Sequence, residues 1–163
     1  MDENRLIAEG EELQHLIFFR VQREWFALRV EEIREVVHRS HITRVPNAPA
    51  FLLGISNLRG RILAIFHLEF FLNLPTPKGR EAPHVIILNI PNPEIDFGFL
   101  VDQVIQIREV SVGHLNELSP STLGEGRAAF FRGALYHGGQ VINVLNPSPI
   151  ISSLVPEVEE ALG

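Results

Sequence analysis

Cysteine is absent from the 163 residues, and tryptophan, methionine and tyrosine each occur once. Without Cys there is no disulfide framework, thiolate metal cluster or thiol nucleophile, and a reducing compartment suits the chain. Long hydrophobic runs are also missing. The most apolar stretch, Ile62 to Leu74, is interrupted by His67, Glu69 and Asn73. It falls well short of the roughly 18 to 20 apolar residues that a membrane-crossing helix requires. The opening residues Met1-Asp2-Glu3-Asn4-Arg5 have neither the basic start nor the apolar stretch of a secretory signal. The expectation is therefore a soluble, cytoplasmic protein with no membrane insertion. Basic runs with interleaved aromatics are lacking too, and Asp+Glu (20) outnumber Lys+Arg (14) for a net charge of -6. That balance opposes attraction to phosphate backbones, so nucleic acid is not expected as a partner.

What the chain does have is 45% apolar residues, enough for a substantial core, in a length that suits one compact unit or two very small ones. Its apolar residues come in short runs punctuated by Gly, Pro and Asn. Leu16 to Val21, Phe26 to Val30, Arg34 to His38, Ile62 to Phe66, Val85 to Ile90, Phe97 to Val101, Val104 to Val110 and Val141 to Leu145 have strand length and strand-type residues. Phe26, Leu28 and Val30 alternate with smaller or charged residues, as on a strand with one buried face. Val85-Ile86-Ile87-Leu88 is apolar on both faces and belongs between layers. Short helices are expected at Pro49 to Leu53, ended by Gly54; at Leu68 to Leu74, ended by Pro75; and at Pro147 to Leu154. Residues 1–12 read as a solvated lead-in and 156–163 as a frayed acidic tail.

The chain repeats itself. Phe26 to Val36 aligns with Phe97 to Ile107 at an offset of 71, and Gly54 to Phe66 aligns with Gly133 to Leu145 at an offset of 79. The difference places extra residues in the second unit, around Asn116 to Arg127. Each unit carries a glycine hairpin, Arg59-Gly60 in the first and His137-Gly138-Gly139 in the second. Units of this size bury too little surface to stand alone. The expected architecture is mainly β: two small antiparallel barrels on a shared hydrophobic core, one near residues 16–75 and one near 84–152, within a single domain spanning 13–155. Their joint is expected at Pro75 to Pro83, where Pro, Gly and charge concentrate.

Chemistry-bearing motifs are sparse. His38 and His41 are three apart, which on a strand places them on opposite faces, and no nearby carboxylate or thiol completes a ligand set. No metal and no cofactor are expected. Ser56, in Gly54-Ile55-Ser56-Asn57, lacks the second glycine of a nucleophile elbow. Gly124-Glu125-Gly126 has neither the Lys-Ser/Thr of a phosphate loop nor a βαβ setting. An enzyme is not expected. Arg59 is the residue that invites a role, because a guanidinium at a hairpin tip projects a planar donor fork outward. It reads either as a solvated turn arginine or, framed by Ile55, Leu58 and Ile62, as a protein-binding hot spot.

Several motifs in order then make the sequence resemble the CheW-like domain family of bacterial chemosensory signalling. They are Phe26-Ala-Leu-Arg-Val30 with Glu31, Ile33, Glu35 and Val36; Ile42-Thr-Arg-Val-Pro-Asn-Ala-Pro49; Gly54-Ile-Ser-Asn-Leu-Arg-Gly60 and the strand after it; Gly98-Phe-Leu-Val-Asp102 with Val104; and Gly139 to Leu145. The resemblance covers about Leu16 to Ser152. It implies two five-stranded SH3-like barrels and a non-catalytic adaptor that couples the regulatory domain of a CheA-type histidine kinase to the cytoplasmic tip of methyl-accepting chemoreceptors. By the same resemblance, Arg59 and Glu35 match contact positions of the family. Ile33 and Gly54 match neighbouring contacts, flanked by Ile55 and Leu58, and Ile107 and Val85 match second-barrel positions. Where the family usually reads Pro-x-x-Asp-Leu-Arg, this chain has Ala64-Ile-Phe-His67-Leu-Glu69. The expected consequence is an altered charge pattern beside the contact surface, and with it a divergent pathway such as pilus-based motility or another surface behaviour. Two other classes remain open beside the adaptor: a hydrolase or metal enzyme using Ser56 or the histidines, and a small-ligand module binding between the barrels.

Overall fold

The structure, a computed structural model, describes residues 5–6, 13–75, 81–111 and 128–163; for Arg5, Leu6, Gln106, Ile107 and Ser111 it describes the backbone only. In chain order the elements are β1 (Arg5–Leu6), β2 (Leu13–Val21), β3 (Glu24–Arg29), β4 (Ile33–His38), β5 (Leu52–Leu58), β6 (Arg61–Phe66), α1 (Leu68–Leu72), β7 (His84–Leu88), β8 (Ile95–Val101), β9 (Gln103–Ser111), β10 (Phe131–His137), β11 (Gln140–Leu145) and α2 (Ser148–Leu162). The strands form two sheets, ordered β1-β9-β2-β3-β11-β10 and β4-β7-β8-β6-β5. The molecule is mainly β with few helices, and the two sheets fit the expected pair of SH3-like units.

The strand order corrects one expectation. The two sequence halves do not fold one per sheet: β2 and β3 lie with β9, β10 and β11, while β7 and β8 lie with β4, β5 and β6. Subdomain ranges of 16–75 and 84–152 therefore do not correspond to the sheets. Each half gives its first two strands to one sheet and its last three to the other. Exchanging strands five apart in number (β2 with β7, β3 with β8, β4 with β9, β5 with β10, β6 with β11) converts the order β9-β2-β3-β11-β10 into β4-β7-β8-β6-β5. The repeat extends to irregularities. An extra residue interrupts β4 between Ile33 and Glu35 and interrupts β9 opposite Ile17 and Phe19; another interrupts β5 between Leu52 and Gly54 and β10 between Phe131 and Gly133. Two parallel contacts also correspond, β3 with β11 and β6 with β8.

Apolar packing explains the exchange. The largest core cluster lies between the sheets, where Phe99 of β8 packs against Phe19 of β2 at 5.4 Å and Phe66 of β6 at 5.5 Å between ring centres. Two smaller cores fill the other face of each sheet, one around Phe18, Ala27 and Leu135 and one around Leu63, Ile65, Val85 and Ile87. β7 lies between layers as its sequence implies: Val85 and Ile87 enter a small core while Ile86 and Leu88 enter the shared one. β3 does the same, contrary to the expectation of one buried face. Ala27 is fully buried on the side opposite Phe26 and Leu28, small enough to fit the crowded interior of its sheet.

Three local expectations are also corrected. Pro49 to Leu53 is not a helix, because Leu52 faces the shared core while Leu53 faces the other one, and only extended backbone sends neighbours to opposite sides. The acidic tail is not frayed. α2 runs through Glu157, Glu159 and Glu160 to Leu162, with Pro156 inside it. Ile150, Leu154 and Val158, at four-residue spacing, bury one stripe against the shared core while the glutamates face outward. Within the expected lead-in, Arg5 and Leu6 pair in parallel with Glu109 and Val110. α1 ends at Asn73, whose left-handed backbone (φ 55) forms the cap two residues before Pro75. The extra segment expected near Asn116 to Arg127 lies outside the described residues, as do residues 76–80 of the expected joint.

Candidate interaction site

β5 and β6 form a hairpin whose loop is Arg59-Gly60, closed by the Leu58/Arg61 pair. Both loop residues have positive φ, 52 and 82, which is the twist that two-residue hairpins prefer. The Gly60 amide donates to Asn57 Oδ1 at 3.1 Å and tightens the turn. Glycine or asparagine is the comfortable choice at the first loop position; a left-handed residue with a larger side chain costs about 1–2 kcal/mol. An arginine in that place is a local cost whose return must come from its side chain.

That side chain crosses to β4. The Arg59 guanidinium donates to the Glu35 carboxylate, with 66% of the arginine side chain and 30% of the glutamate side chain exposed. β4 and β5 are the two edges of their sheet, so the pair connects edges rather than neighbouring strands. A backbone bridge reinforces the link: the Thr43 and Ile55 amides donate to each other's carbonyls, both at 2.8 Å. Gly54 is what lets Thr43 come so close. A Cβ there would lie 2.5 Å from the Thr43 carbonyl oxygen and 2.7 Å from Ile42 Cγ2. An open groove runs between the Thr43 segment and the hairpin, lined by Ser40, His41, Thr43, Ile55, Asn57 and Ile62. Ile62 on β6, 40% exposed, and Val36 on β4, 38% exposed, add apolar surface.

Below the hairpin lies a cluster that sequence reasoning missed. Arg61 contacts both oxygens of Asp96, with Nε at 3.2 and 3.1 Å and Nη2 at 3.0 Å, and donates to the carbonyls of Asn92 and Pro93. Arg34 donates to the same carboxylate and to the Ile90 carbonyl. Burial of Asp96 disfavours its ionised form, but hydrogen bonds from Arg61 and Arg34 outweigh that and hold the carboxyl below its ordinary range. Asp96 in turn raises the Arg61 guanidinium. The available signal was Asp96 itself, one charge inside the apolar run Ile95-Asp-Phe-Gly-Phe-Leu-Val101.

The expected contact residues separate into groups. Arg59 and Glu35 share one exposed feature, with Ile55 half-buried beside the groove. Ile33 is half-buried against the shared core, and Leu58 packs against the small core of its own sheet. Gly54 is buried beneath Thr43 and acts through close approach of backbone. Val85 is a correction: it is 1% exposed, inside the small core, and offers no surface. Ile107 lies opposite Ile17 on β9, and its side chain is outside the described ones. The departures at Ala64, His67 and Glu69 also differ from expectation. Ala64 is buried on β6 opposite Ile55, Glu69 is buried in α1, and His67 turns Nδ1 toward Glu69 Oε2 at 3.6 Å, so none of the three adds an exposed charge beside Arg59 and Glu35.

Ser56 is held otherwise than as a nucleophile: its hydroxyl donates to the His41 carbonyl at 2.8 Å and lies 2.6 Å from Ser40 Oγ. Among the described residues, no three His, Cys, Asp or Glu side chains converge to hold a metal ion, and no helix is long and apolar enough to cross a membrane.

Two sheets exchanging strands about a shared core, with a charged hairpin tip flanked by a groove of mixed polarity, define the chain as a two-sheet β module. The CheW-like domain family model matches residues 15–155, and the chain belongs to that family. A probable chemotaxis protein CheW of Rhizobium etli is 29% identical over 144 residues, covering 88% of this chain and 91% of that protein. The protein FrzA of Myxococcus xanthus is 25% identical over 150 residues, 91% of each. In fold, the chain is similar to the scaffolding protein TtCheW of Thermoanaerobacter tengcongensis, with a TM-score of 0.69 at 23% identity over 86% of this chain and 88% of that one.

Proposed function

We propose that the protein is a non-catalytic chemotaxis adaptor that couples a CheA-type histidine kinase, through the kinase's regulatory domain, to the cytoplasmic tip of methyl-accepting chemoreceptors. Family membership supports the adaptor class. The observation that carries the site is the Arg59–Glu35 pair, exposed at a hairpin tip beside a groove to which Ile55 and Ile62 contribute apolar surface. Association is the mechanism. Ile55, Ile62 and the stem of Arg59 bury apolar surface against a partner, and the guanidinium and carboxylate fix register by exchanging their mutual contact for partner groups. An interface of about 1,600 Å² or less suits reversible assembly. The protein works in the cytoplasm and reaches the membrane through its receptor partner.

The test is co-purification from native lysate with mass spectrometry, followed by pull-down of the identified kinase and receptor. Recovery of a CheA-type kinase and a receptor supports the reading; recovery of neither sinks it. The same experiment decides between flagellar chemotaxis and a divergent pathway such as pilus-based motility. Similarity to proteins carrying other names, FrzA among them, keeps that second reading open.

A further inference from the structure

Sequence spacing offers His38 and His41 as a pair, but the fold pairs His38 with another histidine. His38 ends β4 and His84 begins β7, and the two are direct cross-strand partners. The next rung outward is closed by the Arg39 amide donating to the Pro83 carbonyl at 2.8 Å. That makes 39/83 the hydrogen-bonded pair and 38/84 the non-hydrogen-bonded one, the arrangement in which facing side chains come closest. The imidazole ring centres are 5.1 Å apart at an interplanar angle of 44°. His38 is exposed and His84 half-buried. A solvent-facing pair of imidazoles is thus held on a ladder that the Val37/Val85 pair continues into the sheet.

We infer that His38 and His84 form a two-histidine chelate for a borderline transition-metal cation, with zinc as the reference ion. Imidazole nitrogens bind zinc at about 2.0–2.1 Å, and a tetrahedral angle between two such bonds sets ring centres roughly 5.2 Å apart, each centre lying about 1.15 Å beyond its nitrogen. The separation in the protein matches that requirement before any metal arrives. The remaining coordination positions face solvent and are filled by water. Two imidazoles without a carboxylate select Cu2+, Ni2+ and Zn2+ over the hard cations Mg2+ and Ca2+. Binding ties the outer ends of β4 and β7 together, three residues along β4 from Glu35, and stabilises the folded chain by mass action.

The experiment is isothermal titration of the full chain with zinc chloride in a non-coordinating buffer at neutral pH, paired with melting curves over the same zinc concentrations. One saturable zinc per chain is expected, together with a zinc-dependent rise in melting temperature. Cu2+ should bind tighter than Zn2+, and Mg2+ should not bind. His38→Gln and His84→Gln should each abolish both signals, and the double variant should lose no more than either single one. His41→Gln and His137→Gln should leave both signals intact. Both tested histidines are at the surface end of the ladder, and melting without zinc verifies that the variants fold. Absence of saturable binding at millimolar zinc overturns the inference, as does binding that survives in both variants.

Discussion

Glu35 on edge strand β4 and Arg59 in the loop that follows the opposite edge strand β5 are 24 residues apart in sequence, yet their side chains are ion-paired at the surface. An exposed pair of this kind contributes at most about 1 kcal/mol to folding, so its worth lies in what it presents. Arg59→Ala is expected to weaken kinase or receptor binding by roughly 2 kcal/mol or more, the scale of an interfacial hot spot. Melting temperature should move by no more than about 4 °C. The charge swap Arg59→Glu with Glu35→Arg restores the internal pair while reversing what a partner meets. It should bind as poorly as the single variant, and full binding by the swap would show that the pair only braces the sheet.

The turn itself separates stability from function. Arg59→Asn creates Asn-Gly, the preferred pair for a hairpin with positive φ at both loop positions. Relief of the left-handed arginine should hold or raise the melting temperature, while partner pull-down falls as it does for the alanine variant. A variant that is both stabilised and fully bound would remove Arg59 from the interface.

Gly54 leads to the opposite outcome. A methyl group at position 54 would meet the Thr43 carbonyl at 2.5 Å, and relief requires the Thr43/Ile55 bridge to open. Gly54→Ala should destabilise by about 1–3 kcal/mol, the usual range for overpacking, read as a lowered chemical denaturation midpoint. Loss of binding with an unchanged midpoint would instead make Gly54 a direct contact.

Much of this was legible from period and punctuation. Strands such as Arg61–Phe66 and Ile95–Val101 announce themselves as apolar runs, and Arg59-Gly60 marks its hairpin without a partner strand in view. What the sequence hides is which strand lies beside which. The offsets of the repeat are satisfied equally by two separate barrels and by two that exchange strands, because internal similarity carries no information on pairing partners. Asp96 was hidden for the same reason: its arginines come from β4 and β6, and only the fold assembles them. α2 was misjudged where Pro156 and three glutamates suggest fraying, since the buried stripe continuing to Val158 outweighs one lost hydrogen bond.

The Asp96 cluster sets an acid limb. Arg61 and Arg34 hold its carboxyl below the ordinary range in the folded state, so the unfolded chain takes up the proton first as pH falls. The stabilisation is complete above the unfolded value of about 3.9 and is lost as pH drops through the lower folded value. Asp96→Asn should melt lower at neutral pH and show a smaller further decline on acidification to pH 3 than the parent chain. Parallel declines would assign the acid limb to other carboxylates.

Strand exchange makes the last expectation, on cooperativity. A fragment of residues 1–78 holds β2 and β3 without β9, β10 and β11, and holds β4, β5 and β6 without β7 and β8. Phe19 and Phe66 would lose Phe99, the ring between them. Emptying one such Phe site costs about 3–5 kcal/mol, and the fragment loses the facing strands as well, so it should be unfolded alone by circular dichroism. The fragment 79–163 should behave likewise. Mixed or co-expressed, the two should associate and recover β structure with a single melting transition, since each supplies the strands that the other's sheets lack. A first-half fragment that folds by itself would mean that its own strands suffice to form a sheet, and would sink the account of the exchange as the source of stability.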